Sequence, residues 1–278
     1  MRQYLELLQY VLDHGEQKTD PQLIGNIAVC GYQMRFRVST DAFPIITTKR
    51  VPFRFIVGEL LWFLRGDRQV KWLQDRRITI WDEWATPEAC ARYGLAPGDL
   101  GMIYGPLWRY WPTTDGRTID QIEEVYQTLK KNPNSRRLVV SAWHPELTDK
   151  VFVAPCHCFF KFFHANGKLS LHLFQRSADV FLGVPYNITS YSLLLLLMAK
   201  VTGLQPYEFV HTLSDTHLYN NSIAAAILQL MRKPLELPRV VLPDITNLSL
   251  DTVKKLEPED FKLVDYTYHP AIQVVVGV

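Results

Sequence analysis

Residues 157–180 read HCFFKFFHANGKLSLHLFQRSADV, two runs rich in aromatic and apolar residues joined by Ala-Asn-Gly-Lys. Asn166-Gly167 supplies the positive φ of a tight hairpin turn, so the runs 157–165 and 168–180 are expected to pair as strands. The run YSLLLLLMAKV at 191–201, interrupted by Lys200, is too short to cross a bilayer and reads as a buried helix. Apolar residues at helical spacing recur in 1–14, in 55–67 closed by Gly66, and in 118–135 closed by Asn132 and Pro133. The runs 136–143 and 271–278 read as further strands, and 85–101 as a Pro/Gly-punctuated surface insertion. No repeat or low-complexity linker divides the chain, so 1–278 is expected to be one α+β domain, a large mixed sheet with flanking helices.

Charge narrows the partners. A formal net charge of +2 makes no global electrostatic case for nucleic acid or membrane as the main partner, although a local basic cluster can still bind an anion. Four cysteines in 278 residues, behind an N-terminal stretch that reads as an amphipathic helix, suit a reduced cytoplasmic protein better than a disulfide scaffold.

Two of those cysteines, Cys156 and Cys158, stand in APCHCFFKFF. A zinc site needs about four ligands in spaced pairs, yet Cys30 and Cys90 are isolated, so no metal is expected. A redox pair is normally Cys-x-x-Cys at a helix start, whereas one intervening residue in a strand turns the side chains to opposite faces. Taken alone, the stretch reads as two packed strand cysteines. Twenty residues on, Gln175, Arg176, Ser177, Asp179 and Asn187 crowd an anion-binding pair, a carboxylate and an amide between apolar runs. Polar groups at that density are costly to bury without a ligand.

From end to end the chain resembles the thymidylate synthase family, the folate-dependent dUMP methylases. The matching segments are MRQYLELLQYVLDHGEQK, TTKR, GELLWFLRGD, TIWDEWA, GDLGMIYGPLWR, NPNSRRLVVSAW, APCHCFFKFF, QRSADVFLGVPYNITSY and DTHLYNN. The resemblance implies that family's α+β fold, with the sheet packed against its mate in a homodimer. It implies dUMP as substrate and 5,10-methylenetetrahydrofolate as co-substrate.

Residue roles follow from the same resemblance. Cys156 would be the nucleophile that adds to C6 of uracil, with Arg176 near both the sulfur and the substrate phosphate and lowering the thiol pKa. Cys158 keeps its packing role and His157 a supporting one. Arg136 and Arg137, reaching across the dimer, would complete a phosphate cage with Arg176 and Ser177, and Gln175 belongs to the nucleotide site. Asn187 would accept from N3–H and donate to O4 of the pyrimidine, and His217 with Tyr219 would bond the deoxyribose 3′-hydroxyl. Glu59 and Tyr104 would handle protons through ordered water. The folate site would comprise Trp81, Trp84, Ile80, Asp179, Gly183 and Tyr186, with Lys49 at the glutamate tail. The products would be dTMP and dihydrofolate, the folate giving both carbon and hydride.

Three positions depart from the family pattern. Pro21 replaces the arginine of the N-terminal phosphate loop, which implies a more open phosphate site. Leu213-Ser214 replaces the usual Gly-Gly, so the backbone there should pass differently or narrow the pocket, and Tyr186 replaces phenylalanine. Two other function classes therefore stand beside methylation: a pyrimidine nucleotide hydroxymethylase, which would quench the transferred carbon with water, and a diverged nucleotide- or RNA-binding paralogue without turnover.

Overall fold

The computed structural model describes residues 1–19 and 24–274, and Pro21 together with the end of the 271–278 run lies outside them. Its central feature is a mixed six-stranded sheet. In chain order the strands are β1 (Glu16–Lys18), β2 (Asn26–Arg37), β3 (Val139–Ser141), β4 (His157–Ala165), β5 (Lys168–Asp179) and β6 (Gln205–Tyr219). In space they run β1-β2-β6-β5-β4-β3, all antiparallel except β5 and β6.

The hairpin forms where the sequence asks for it: Asn166 has φ 50° and Gly167 φ 73°, the left-handed pair that joins β4 to β5. Along β5, Leu169, Leu171 and Leu173 are fully buried on the inner face, while His172 points outward and is exposed. The helices that frame the site are α1 (Arg2–His14), α2 (Phe53–Arg65), α3 (Tyr104–Arg109), α4 (Gln121–Lys131) and α5 (Gly183–Thr202), with further short helices, Ile223–Leu230 among them, elsewhere along the chain. Gly66 at φ 69° ends α2, and the Asp120 side chain caps α4 by accepting from the Glu123 N–H at 3.0 Å.

The apolar run at 191–201 is part of a longer helix than its composition suggests. At 20 residues α5 reaches the length and hydropathy of a membrane span, yet nearly all of it is buried inside the protein. Leu193, Leu194, Leu195 and Leu197 are completely inaccessible, each contributing roughly 2 kcal/mol by its burial. A helix apolar on every side is the crossover that parallel β5 and β6 need. It brings the C-terminal ends of those two strands, Gln175–Asp179 and Asp215–Tyr219, side by side.

Other expectations are corrected here. The strand expected at 136–143 shrinks to Val139–Ser141, and residues 271–274 form no strand. The 85–101 stretch is no plain surface insertion: it holds a short helix, Pro87–Ala91, and buries Ala85, Ala89, Cys90 and Leu100. β2 and β6 were not anticipated at all.

Candidate active site

Cys156 immediately precedes β4, not within it. The strand opens with a bulge, His157 pairing with Gln175 and Phe159 with Phe174, so simple alternation does not decide where the two cysteines face. His157 packs inward against Tyr104 and Tyr191, while Phe159 is exposed. Cys158 is buried with Sγ 3.7 Å from the Cys156 carbonyl, and Cys156 keeps partial access to solvent.

Arg176 braces the loop that presents Cys156. Its Nε donates to Pro155 O at 3.0 Å, its Nη2 to Ala154 O at 2.7 Å, and its own N–H to Cys156 O at 2.8 Å. The guanidinium also lies over the Trp143 ring, 5.2 Å from the centroid. Burial pushes the Cys156 thiol up, and the Arg176 charge acts in the expected direction, pulling it down together with the Tyr104 hydroxyl without outweighing the burial.

Tyr104, at the start of α3, accepts from the Cys156 N–H at 2.9 Å, and burial holds its own hydroxyl firmly protonated. From there an aromatic wall runs outward. Phe63 of α2 and Trp81 lie 4.8 and 6.1 Å from the Tyr104 ring, and Trp84 lies 5.5 Å from Trp81. Trp81 Nε1 donates to Glu59 Oε1 at 2.9 Å. Burial pushes the Glu59 carboxyl up to about 7, against that hydrogen bond, so it can exchange a proton near neutrality. The close approach of α3 to α2 requires Gly105, whose added Cβ would stand 2.6 Å from Phe63 O.

Behind the thiol lies a buried polar layer. Asn187 is 8 % exposed, and its buried Oδ1 has no hydrogen-bond partner among the described residues. Its amide lies near the His157 ring, which burial keeps neutral, with a pKa lowered to about 4. Gln175 Oε1 accepts from His211 Nε2 at 2.8 Å and Gln175 Nε2 donates to Ser177 O at 2.9 Å, so its amide is held on both sides. Nothing in the sequence pointed to His211, because its polarity is explained only by the neighbouring strand.

Across the parallel ladder Ser177 pairs with Asp215, and Asp179 with His217. The Asp179 carboxyl closes the turn that leads into α5, accepting from Phe181 N–H at 2.9 Å and Leu182 N–H at 3.1 Å. Lys49 is buried, not extended towards solvent: Nζ donates to Phe181 O at 2.6 Å and sits over the Phe181 ring. Burial lowers its pKa to about 7 despite the nearby Asp179. Gly183, Tyr186 and Ile80 are partly buried, and burial followed by the Glu59 charge raises the Tyr186 hydroxyl to about 12.

Arg136 and Arg137 are the exception to this convergence. Both are exposed in the loop before β3, and neither guanidinium makes a hydrogen bond or ion pair among the described residues. Leu213-Ser214 leaves β6 unbroken, with Leu213 fully buried. Among the described residues no group of three or more His, Cys, Asp or Glu side chains is arranged to hold a metal.

Compared with known families, the chain matches the model of thymidylate synthase over residues 2–278, and it belongs to that family.

Proposed function

We propose that this member of the thymidylate synthase family converts dUMP to dTMP, with Cys156 as the nucleophile. The observation that carries the reading is the juxtaposition of a partly accessible thiol, the Arg176 guanidinium and the unpartnered Asn187 carbonyl behind it.

The C5 carbon of uracil is a weak nucleophile until a thiolate adds to C6. Cys156 forms that carbon–sulfur bond as the thiolate. Because burial favours the neutral thiol in the unliganded chain, the adjacent Arg176 charge must stabilise the anion as the substrate arrives. Asn187 Oδ1 accepts from the ring N3–H and its NH₂ donates to O4, a pattern cytosine presents in reverse. Tyr104, its hydroxyl held by the Cys156 N–H, positions the acceptor for the C5 proton, and Glu59, titrating near neutrality, passes protons at O4. Arg176 and Ser177 hold the phosphate, with Gln175 behind them, and His217 and Tyr219 hold the sugar.

Trp81, Trp84, Ile80, Gly183, Tyr186 and Asp179, with Lys49, would hold methylenetetrahydrofolate, which when bound would supply the one-carbon unit and the hydride. Arg136 and Arg137, without a side-chain partner among the described residues, serve the phosphate site of a second copy, which makes the working form a homodimer. The reading places the enzyme in a reducing, cytoplasmic compartment. Its test is mass analysis after incubation with 5-fluoro-dUMP and methylenetetrahydrofolate: a covalent ternary adduct on the Cys156 peptide is expected. An intact protein mass unchanged by both ligands would favour the paralogue without turnover.

A further inference from the structure

We propose that Asp215, steadied by Lys18, is a positioning residue that fixes the His217 ring with its proton on Nδ1. The Nε2 lone pair is thereby set to accept, so a ligand must bring an O–H or N–H donor to it. The inference rests on the nucleotide reading of His217 and adds to it the direction of the hydrogen bond.

The chemistry follows from the contacts. Asp215 lies between two cationic or polar partners: its Oδ2 pairs with Lys18 Nζ, and its Oδ1 lies 3.1 Å from His217 Nδ1. Burial alone would raise its pKa, but the hydrogen bonds and charges of Lys18 and His217 carry it below the ordinary carboxylate value. An ionised carboxylate only accepts, so Nδ1 must be the donor. In the neutral ring the other nitrogen is then an acceptor. The sheet builds this arrangement from two strands, Lys18 on β1 and Asp215 with His217 on β6, on either side of β2: Lys18 pairs with Asn26 on β2, Asp215 with Cys30 on β2 and Ser177 on β5, and His217 with Asp179 on β5. The His217 ring is 8 % exposed and lies edge-on to Tyr219 at 5.1 Å, which restricts its rotation. The other carboxyl facing it, Asp179, already accepts two backbone N–H groups.

A donor-seeking site recognises a free hydroxyl and rejects groups of similar size that only accept. A 2′,3′-dideoxy-3′-fluoro analogue of dUMP should therefore bind roughly ten- to hundredfold more weakly than dUMP itself. Asp215→Asn can present its NH₂ to the ring and reverse the tautomer. In that variant dUMP binding should fall and the dUMP/fluoro ratio should approach one, whereas Asp215→Glu, which keeps the acceptor, should restore the ratio. The direct reading is the ring nitrogen chemical shifts of His217 in the unliganded labelled protein at about pH 8, where an ordinary histidine is neutral. A protonated Nδ1 and bare Nε2 are expected. An Nε2–H tautomer, an imidazolium, or an unchanged dUMP/fluoro ratio in Asp215→Asn would overturn the inference. Failure of dUMP to bind the native protein would instead overturn the nucleotide reading, and the ring shifts would still decide the tautomer.

Discussion

Cys156 and Cys158 are two residues apart and chemically identical, yet their surroundings assign them different work. Cys156 is the more accessible of the two residues, and its main chain is gripped by Tyr104 and Arg176. Cys156→Ser should lower turnover by roughly a thousandfold or more, because a hydroxyl stays protonated near neutral pH, while Cys158→Ser should leave most of it. Equal losses in steady-state rates would remove the distinction. Asn187→Asp should move the dUMP/dCMP ratio of kcat/KM towards dCMP, on the order of tenfold or more, by giving the cytosine amino group an acceptor. An unchanged ratio would take Asn187 out of base recognition. Glu59 carries a stability consequence of definite sign. With a folded pKa near 7 against an ordinary 4.5, the native state keeps a proton that the unfolded chain has already lost, so stability declines as pH rises through that window. Glu59→Gln keeps the acceptor for Trp81 and should stabilise the unliganded protein by at most about 3 kcal/mol at pH 8, with little effect near pH 4.5. Urea unfolding at the two pH values measures it, and equal effects at both would show that Glu59 does not hold the proton.

At the scale of elements, the site depends on α3 lying hard against α2. Gly105→Ala places a methyl group 2.6 Å from Phe63 O and 2.8 Å from Phe63 Cα, backbone that cannot move aside easily. The variant should lose about 1–3 kcal/mol of stability and, with Tyr104 displaced, more of kcat than of dUMP affinity. Unaltered thermal unfolding and turnover would show that the helices separate freely. The elements legible in the sequence were those whose local chemistry agrees with their tertiary place: the Asn-Gly hairpin, α1, α2 and α4. β6 was hidden because it buries polar residues on both of its faces, His211, Thr216 and His217, and His211 finds its partner, Gln175, only on the neighbouring β5. β2 is divided by Gly31 at φ 83°, which breaks its alternation halfway. The candidate site residues were named through the family's motifs, but the contacts among them were not legible. Tyr104 and Cys156 are 52 positions apart, and Lys18 and Asp215 are 197 apart.

For the whole molecule, the sheet has a helix-covered inner face and an outer face with unusual apolar content. Phe159 stacks on Phe174 at 5.5 Å while remaining 43 % exposed, and Phe163 is 58 % exposed. Around them stand Lys161, His172 and the Arg35–Glu208 ion pair. A second copy of the sheet is the proposed cover. Phe163→Asp should therefore sediment as a monomer and lose roughly tenfold or more in turnover, since each phosphate site forfeits two charged contacts. A fully active monomer would separate Arg136 and Arg137 from catalysis.

The chemistry itself is tested most directly by the product. Incubated with dUMP and methylenetetrahydrofolate alone, the native protein should yield a nucleotide heavier by CH₂ and one dihydrofolate for each turnover. A nucleotide heavier by CH₂O, with tetrahydrofolate released, would contradict methylation and assign the hydroxymethylase reaction to the same cysteine.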